Sequence, residues 1–430
     1  MKRIAVVGGG WAGLAAAVRL AEAGRPVTLF EAARQLGGRA RRVDWQGLAI
    51  DNGQHLMIGA YRETLALMRT LGTDSLLARR PLELSVPDFR LSLPQLPAPL
   101  NLIIGQLMAE GLSLKDKLAA AGFMQALKRN GFLLPADGPA DELLARHRQP
   151  PELVAKLWEP ICVAALNTPL RLASAQVFCN VLRDSLARSR ADSDLLYQRA
   201  HLGRLVPEAA RGWLEARGCR VRLSSRVGGI ERIGKNYRMS FGEGGEEDFD
   251  AVVLAIHPVR LPDLLGQLPQ LAAVREQVSA FGWQPILTSW MRFAAPLSFP
   301  LPMLGLAPGQ GPWVFDRGDV APGLAAVVIS AEGPHLHRPP ETLREEFLDL
   351  MGRALGPLPE LQAWKTIVEK RATFACTPGL SRPGNRTPLP GLVLAGDYTG
   401  GDFPTEDYPA TLEGAVRSGV KSARLLLESS

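Results

Sequence analysis

Three glycines near the start of the chain, Gly8, Gly10 and Gly13, constrain the fold more than any other feature. They follow Ile4–Val7, an apolar run with the length and β-branching of a buried strand. Leu14–Ala23, rich in Ala and Leu, reads as a helix that Gly24 stops, and Val27–Phe30 as a second buried strand ending in the acid Glu31. Each part has a physical task. Gly8 permits the tight turn out of the strand, Gly10 lets a pyrophosphate approach the backbone, and Gly13 lets the helix lie close on the sheet. The free N–H groups and partial positive charge of the helix N-terminus suit phosphates. Glu31 stands eighteen residues past Gly13, where it can accept hydrogen bonds from a ribose.

Two further stretches extend this reading. Gly37-Gly38-Arg39-Ala40-Arg41-Arg42 comes directly after the second strand and suits a loop folded over a pyrophosphate, a solvated basic turn being the alternative. Near the C-terminus, Leu392–Ala395 reads as a short strand leading into Gly396-Asp397, which can hydrogen-bond a sugar-like chain. A loop, Tyr398–Tyr408, precedes a helix over Ala410–Leu427, with Pro409 at its first position. Gly414 and Gly419 let that helix approach a neighbour or a flat ring closely. Together the three elements form a signature for FAD. The fold class expected is α/β: a Rossmann-like, discontinuous FAD-binding domain with a second, α+β substrate domain.

The rest of the chain narrows the class by exclusion. Of its 430 residues 46% are hydrophobic and 21% charged, which is a globular composition. The net charge of +6 is dispersed without a long basic run, which argues against nucleic acid and leaves open attraction to an anionic membrane surface. Cys162, Cys179, Cys219 and Cys376 lie far apart, so neither a zinc site nor a disulfide framework is indicated, and a reduced, cytoplasmic setting fits. Lys2 and Arg3 are followed by too few apolar residues for a secretory signal. The uncharged stretches Leu91–Ala109 and Ala294–Phe315 are interrupted by prolines and do not read as membrane spans; they are instead candidates for peripheral contact with the inner face of the plasma membrane.

Between these motifs the character of the chain alternates. Val43–Ile50 suits a hairpin strand, Asp51–His55 a polar turn, and Tyr61–Leu71 a helix. Residues 81–199 are Pro-rich and mostly helical, with Leu114–Lys128, Asp141–Arg148 and the apolar Trp158–Leu170. We read them as an insertion forming a greasy pocket, a plain helical core being equally compatible with the composition. Arg204–Arg217 reads as one helix and Phe249–Ile256 as another buried parallel strand, while residues 265–384 depart again. The expected division is therefore 1–80, 200–264 and 385–430 for FAD, and 81–199 with 265–384 for substrate.

The set GGGWAG, LFEAARQLGGRA, DNGQH and AGDYT…PATLEGAVRSG resembles the flavin amine oxidase and carotenoid desaturase superfamily. More narrowly, DNGQHLMIGAYRETL at Asp51–Leu65 and LWEPICVAALNTP at Leu157–Pro169 resemble the squalene-associated FAD-dependent desaturases, or hydroxysqualene dehydroxylases. The resemblance implies a monotopic-type flavoprotein in which Gly8, Gly10, Ala12, Gly13, Glu31, Gly38, Arg39, Gly53, Val227, Gly396, Asp397, Thr411 and Leu412 contact FAD. It implies a polyprenyl substrate, an electron donor the sequence does not identify, and contact with neighbouring squalene-pathway enzymes. In the reaction implied, reduced FAD gives a hydride from N5 to the allylic carbinol carbon of hydroxysqualene; water leaves and squalene forms, and no metal is needed. Hydroxide leaves poorly, so an acid is expected, His55 first, with Asp407 and Glu406 as rivals. Asn167 and Thr168 are candidates to hold the hydroxyl. The opposite, oxidative direction, that of a polyprenyl desaturase, uses the same motifs; an amine oxidase and a non-catalytic lipid-binding partner are the other readings.

Overall fold

The computed structural model describes residues 3–242 and 244–428. At its centre five short strands form a parallel sheet in the order Arg220–Arg222, Val27–Phe30, Ile4–Val7, Ala251–Leu254, Leu392–Leu394. Ile4 stands opposite Val27 on one side and Ala251 on the other. Four of these strands are covered on both faces and are apolar almost throughout, as expected of a parallel sheet, whereas the edge strand Arg220–Arg222 exposes both its arginines. From Ile4–Val7 the chain winds to one side through the helix Trp11–Glu22. It later returns to pair on the opposite side, which makes the carboxyl end of the first strand a switch point.

Two close approaches fix the layer above this sheet. A Cβ built on Gly13 would lie 1.9 Å from the Gly8 carbonyl oxygen, so only glycine lets Trp11–Glu22 descend onto the sheet. A Cβ built on Gly419 would lie 2.1 Å from the Ala12 carbonyl oxygen, which seats the last helix, Leu412–Glu428, on the first. That last helix begins at Leu412, so Pro409 is not its first residue as expected but part of the preceding loop. Its buried Glu413 caps the neighbouring helix Arg62–Leu71, accepting from the backbone N–H of Glu63 at 3.1 Å and of Thr64 at 2.9 Å. The helix expected over Arg204–Arg217 is broken: Leu202–Leu205 and Pro207–Glu215 are separate, because proline starts a helix but cannot continue one.

A second sheet is antiparallel, in the order Met303–Gly305, Trp313–Asp316, Leu324–Ser330, Trp283–Phe293, Leu361–Phe374. Side chains alternate across it. Leu287, Met291, Val327 and Ile329 face the helix Pro340–Leu355, where they pack with Leu343, Phe347 and Met351. Ile286 and Val328 belong to the opposite face and line a cavity. The stretch 294–315 supplies the edge hairpin of this sheet, and its Leu304, Leu306, Val314 and Phe315 are buried. Its second half is therefore wall, while residues 294–300 stay largely at the surface.

The hairpin Glu83–Val86 and Phe89–Ser92 opens the remaining region, and the helices Leu100–Met108, Leu114–Arg129, Ala140–Arg146, Glu159–Leu166 and Ala175–Leu182 follow. Leu114–Arg129 starts on a capping box between Ser113 and Asp116. Among the described residues no helix is long and apolar enough to cross a membrane.

Candidate functional site

The first strand ends at Val7 and Gly8 turns the chain with φ +110°, a conformation that favours glycine. The helix that follows has Gly10 as N-cap, without a side-chain cap and without an acid in its first turn. Its leading N–H groups are thus left for an outside acceptor. The second glycine loop folds against the first: Gly37 N–H donates to the Gly9 carbonyl at 2.9 Å. A Cβ built on Gly10 meets nothing nearer than the Gly38 Cα, 4.0 Å away, so the two loops face each other across an open cradle. Glu31 holds this turn together, one oxygen accepting from Gly9 N–H at 2.7 Å and the other from Ala33 N–H at 2.8 Å.

The far end of the chain closes the cradle. Arg39 grips Asp397 through both carboxylate oxygens at 2.6 and 2.7 Å, and its other nitrogen donates to the Ala372 carbonyl at 2.8 Å. Gly8, Gly10, Ala12, Glu31, Gly38, Arg39, Gly53, Val227, Gly396, Asp397, Thr411 and Leu412 all line one cavity of about 770 Å³. Gly13 does not line it; its role is to bring the helix down. An apolar wall bounds the same cavity, with Leu84, Ile161, Ala165, Leu186, Ile286 and Val328 drawn from both the helical region and the antiparallel sheet. The greasy pocket expected of residues 81–199 is thus built only partly from them, the antiparallel sheet supplying Ile286 and Val328.

His55 lies deep in the molecule yet keeps accessible area because it opens onto the cavity. Its Nδ1 sits 2.7 Å from the Gly53 carbonyl, an oxygen that only accepts, so Nδ1 carries the proton. Burial pushes its pKa down, and Arg39 adds to the effect. The ring is neutral and its other nitrogen is an acceptor, which runs against the expectation that it donates. His257, which sequence reasoning passed over, also lines the cavity, stacked on Trp283 at 4.7 Å. Burial, helped by Arg39, pushes it down to about 4.

Three other expectations are corrected. Asp407 does not line this cavity: its carboxylate accepts from Gly401 N–H at 2.9 Å and lies 3.3 Å from Arg382 in the outer loop. Glu406 is likewise outside, accepting from Asp402 N–H at 3.1 Å. Asn167 reaches the cavity wall, but its amide is spent on structure. It donates to Thr373 Oγ1 at 2.9 Å and the Pro285 carbonyl at 3.2 Å, and accepts from Ala331 N–H at 2.6 Å. Thr168 bonds the Leu166 carbonyl and Cys376 N–H, each at 3.0 Å. The Asn167-Thr168 pair therefore fastens the helical region to the antiparallel sheet and has no donor left for a hydroxyl. Asp51, in the same turn as His55, is buried outside the cavity lining; desolvation pushes it up to about 7 against the pull of Arg317.

The capless helix start, the open cradle and the paired Arg39 and Asp397 fit a flavin dinucleotide, the pyrophosphate against the backbone and the polar chain near Asp397. The model for flavin containing amine oxidoreductases matches residues 11–427. The chain is 32% identical to the hydroxysqualene dehydroxylase of Rhodopseudomonas palustris, over 99% of this chain and 98% of that one. It is 31% identical to the enzyme of the same name from Sinorhizobium fredii, with the same coverage, and 23% identical to the probable zeta-carotene desaturase of Synechococcus elongatus, over 99% of both chains. Among solved structures, cyclohexylamine oxidase from Brevibacterium oxydans superposes with a TM-score of 0.70 at 18% identity, covering 99% of each chain, which speaks for the fold alone. The chain belongs to the flavin containing amine oxidoreductases, and within them it groups with the hydroxysqualene dehydroxylases.

Proposed function

We propose that this protein removes the hydroxyl of hydroxysqualene and releases squalene, using FAD. The observation that carries the reading is the single cavity in which glycine loops and an apolar wall meet. It is supported by full-length similarity to enzymes named for that reaction. When bound and reduced, FAD supplies the hydride that replaces the hydroxyl. The glycine loops and the helix start hold the pyrophosphate, and Arg39 with Asp397 closes over the polar chain. Leu84, Ile161, Ile286 and Val328 take up the hydrocarbon and keep water from an allylic cation. His55, neutral with its proton committed to Gly53, accepts a hydrogen bond from the carbinol and orients it. Residues 1–80, 200–264 and 385–430 form the FAD-binding part in this reading, and 81–199 with 265–384 the substrate part.

Anaerobic mixing of prereduced enzyme with hydroxysqualene tests the direction of the chemistry. Squalene and oxidised flavin in equal amounts are expected. Untouched alcohol in that mixture, with bleaching of oxidised enzyme by a polyprenyl hydrocarbon in a parallel one, would assign the chain to the desaturases.

Membrane docking belongs to the same proposal. Leu100, Ile103, Leu107, Met108, Leu114 and Leu118, on two consecutive helices, are 48% to 72% exposed, beside the exposed Lys115. Such a cluster marks an interaction surface, and an apolar guest has to reach the protein from lipid. Replacing Leu107 and Met108 by glutamate should abolish sedimentation with anionic liposomes; unchanged sedimentation would remove this face from the account.

A further inference from the structure

The reaction proposed above expels a hydroxyl group into an apolar cavity, where bulk water is not at hand to protonate it. A donor on the protein has to touch it. Among the described residues four carboxyl side chains line the cavity: Glu31, Asp263, Glu369 and Asp397. Glu31 has both oxygens on backbone N–H groups and Asp397 has both on Arg39. Asp263 is exposed on the short helix Leu261–Leu264 and stands in water. Glu369 is half-buried, and among the described residues one hydrogen bond reaches its carboxyl, from Asn52 Nδ2 to Oε2 at 3.1 Å.

The histidines and tyrosines at the wall are poorer donors. His55 has its proton on the Gly53 carbonyl. His257 accepts from Val259 N–H at 3.3 Å and bonds the Arg371 carbonyl. Burial raises the pKa of the Tyr61 hydroxyl, which makes it a weaker acid than a carboxyl, and the Tyr398 hydroxyl is buried without a partner rather than open to the cavity.

Position singles out the same residue. Asn52 donates from one amide both to the Glu369 carboxyl and to the Arg39 carbonyl, the latter at 3.3 Å. Glu369 is thereby tied to the loop that grips Asp397. It also stands opposite Ile286, part of the apolar wall, in the strand pairing of the antiparallel sheet. The carboxyl sits at the seam where the flavin-holding side meets the hydrocarbon-holding side.

We propose that Glu369 is the catalytic acid of this cavity and that Asn52 positions it, an assignment that rests on the dehydroxylase reading. The carbinol C–O bond breaks with its electron pair going to oxygen. The Glu369 proton goes to that oxygen and water leaves. The carbon, now an allylic cation, takes the hydride that the reduced flavin supplies. Glu369 is left as carboxylate and regains a proton from solvent when product departs.

The leaving group provides the test. In E369Q the side-chain oxygen still accepts from Asn52 but the acid is gone. With prereduced holoenzyme under anaerobic conditions, E369Q should process the alcohol at least about 100-fold more slowly than wild type. Flavin content, melting temperature and the dissociation constant for the alcohol should stay at wild-type values. The acetate ester of the same alcohol, whose leaving carboxylate needs no proton, should react equally fast with both. Wild-type speed of E369Q on the alcohol, or an equal slowdown on alcohol and ester, would overturn the assignment and leave Glu369 a strut. Should E369Q not accumulate as holoenzyme, Asn52→Ala serves instead, with about tenfold loss expected on the alcohol and none on the ester; no selective loss overturns the proposal. Wild-type enzyme that reduces neither compound defeats the dehydroxylase reading itself, which separates the two failures.

Discussion

The two sides of the cavity are made of different material. On the nucleotide side the working atoms are backbone, and the side chains that matter are mostly missing ones: Gly8 for its φ, Gly10 for the open cradle, Gly13 for the close approach. On the hydrocarbon side the working atoms are side chains from segments far apart, such as Leu84, Ile161 and Ile286. Asn167, near the end of one helix, ties two strands and a turn of the other sheet together. A backbone-built wall tolerates almost no substitution but is encoded in a few adjacent residues. A side-chain-built wall tolerates apolar exchange, provided the polar fasteners behind it survive.

The sharpest way to break this contrast is Gly13→Ala. The added methyl would meet the Gly8 oxygen at 1.9 Å with backbone on both sides, so nothing can give. A loss above about 4 kcal/mol and a colourless product are expected, checked by flavin absorbance and thermal melting. Asn167→Gly asks the same of the other side. Asn167 is left-handed at φ 47°, which glycine adopts freely, so the variant isolates the lost side-chain bonds. About 3 kcal/mol should be lost through unpaired buried groups, with flavin still bound at low temperature and substrate affinity reduced.

His257, facing the cavity with Arg39 on one side and Trp283 on the other, reports on the seam. Its folded pKa of about 4 lies below the ordinary 6.5, so its neutral form contributes stability in full above pH 6.5. That contribution drains as pH falls from 6.5 through 4, by about 2–3 kcal/mol. Melting curves of wild type and His257→Gln should diverge over that interval and run parallel above it. Parallel curves throughout would mean that the imidazole is not buried as described.

How much of this was legible in the chain follows the same division. The parallel strands at Ile4–Val7, Val27–Phe30 and Ala251–Leu254 and the glycine loops lie in contiguous motifs, and their chemistry follows from local spacing. The break at Pro207 was legible too, since proline with the preceding Val206 marks a helix start, but the apolar period across Arg204–Arg217 masked it. Residues 303–315 read as surface because proline and lack of charge look the same in a membrane-facing loop and in a buried edge hairpin. Asp407 reads as catalytic because it stands five residues before the last helix. Its direction is set by Gly401 and Arg382, which a one-dimensional reading cannot bring together. Glu369 carries no motif at all. Alternation along Leu361–Phe374 decides that its one acid turns inward, and that strand's register depends on bulges in its pairing with Trp283–Phe293.

The residues alone determine that a dinucleotide is held: turn geometry, helix start and close packing are short-range properties, and three glycines with a following acid specify them. Only the tertiary structure decides which polar groups face the hydrocarbon. That choice depends on contacts between positions hundreds of residues apart, as Asn52 and Glu369 are, and on which hydrogen bonds within each turn have already been used.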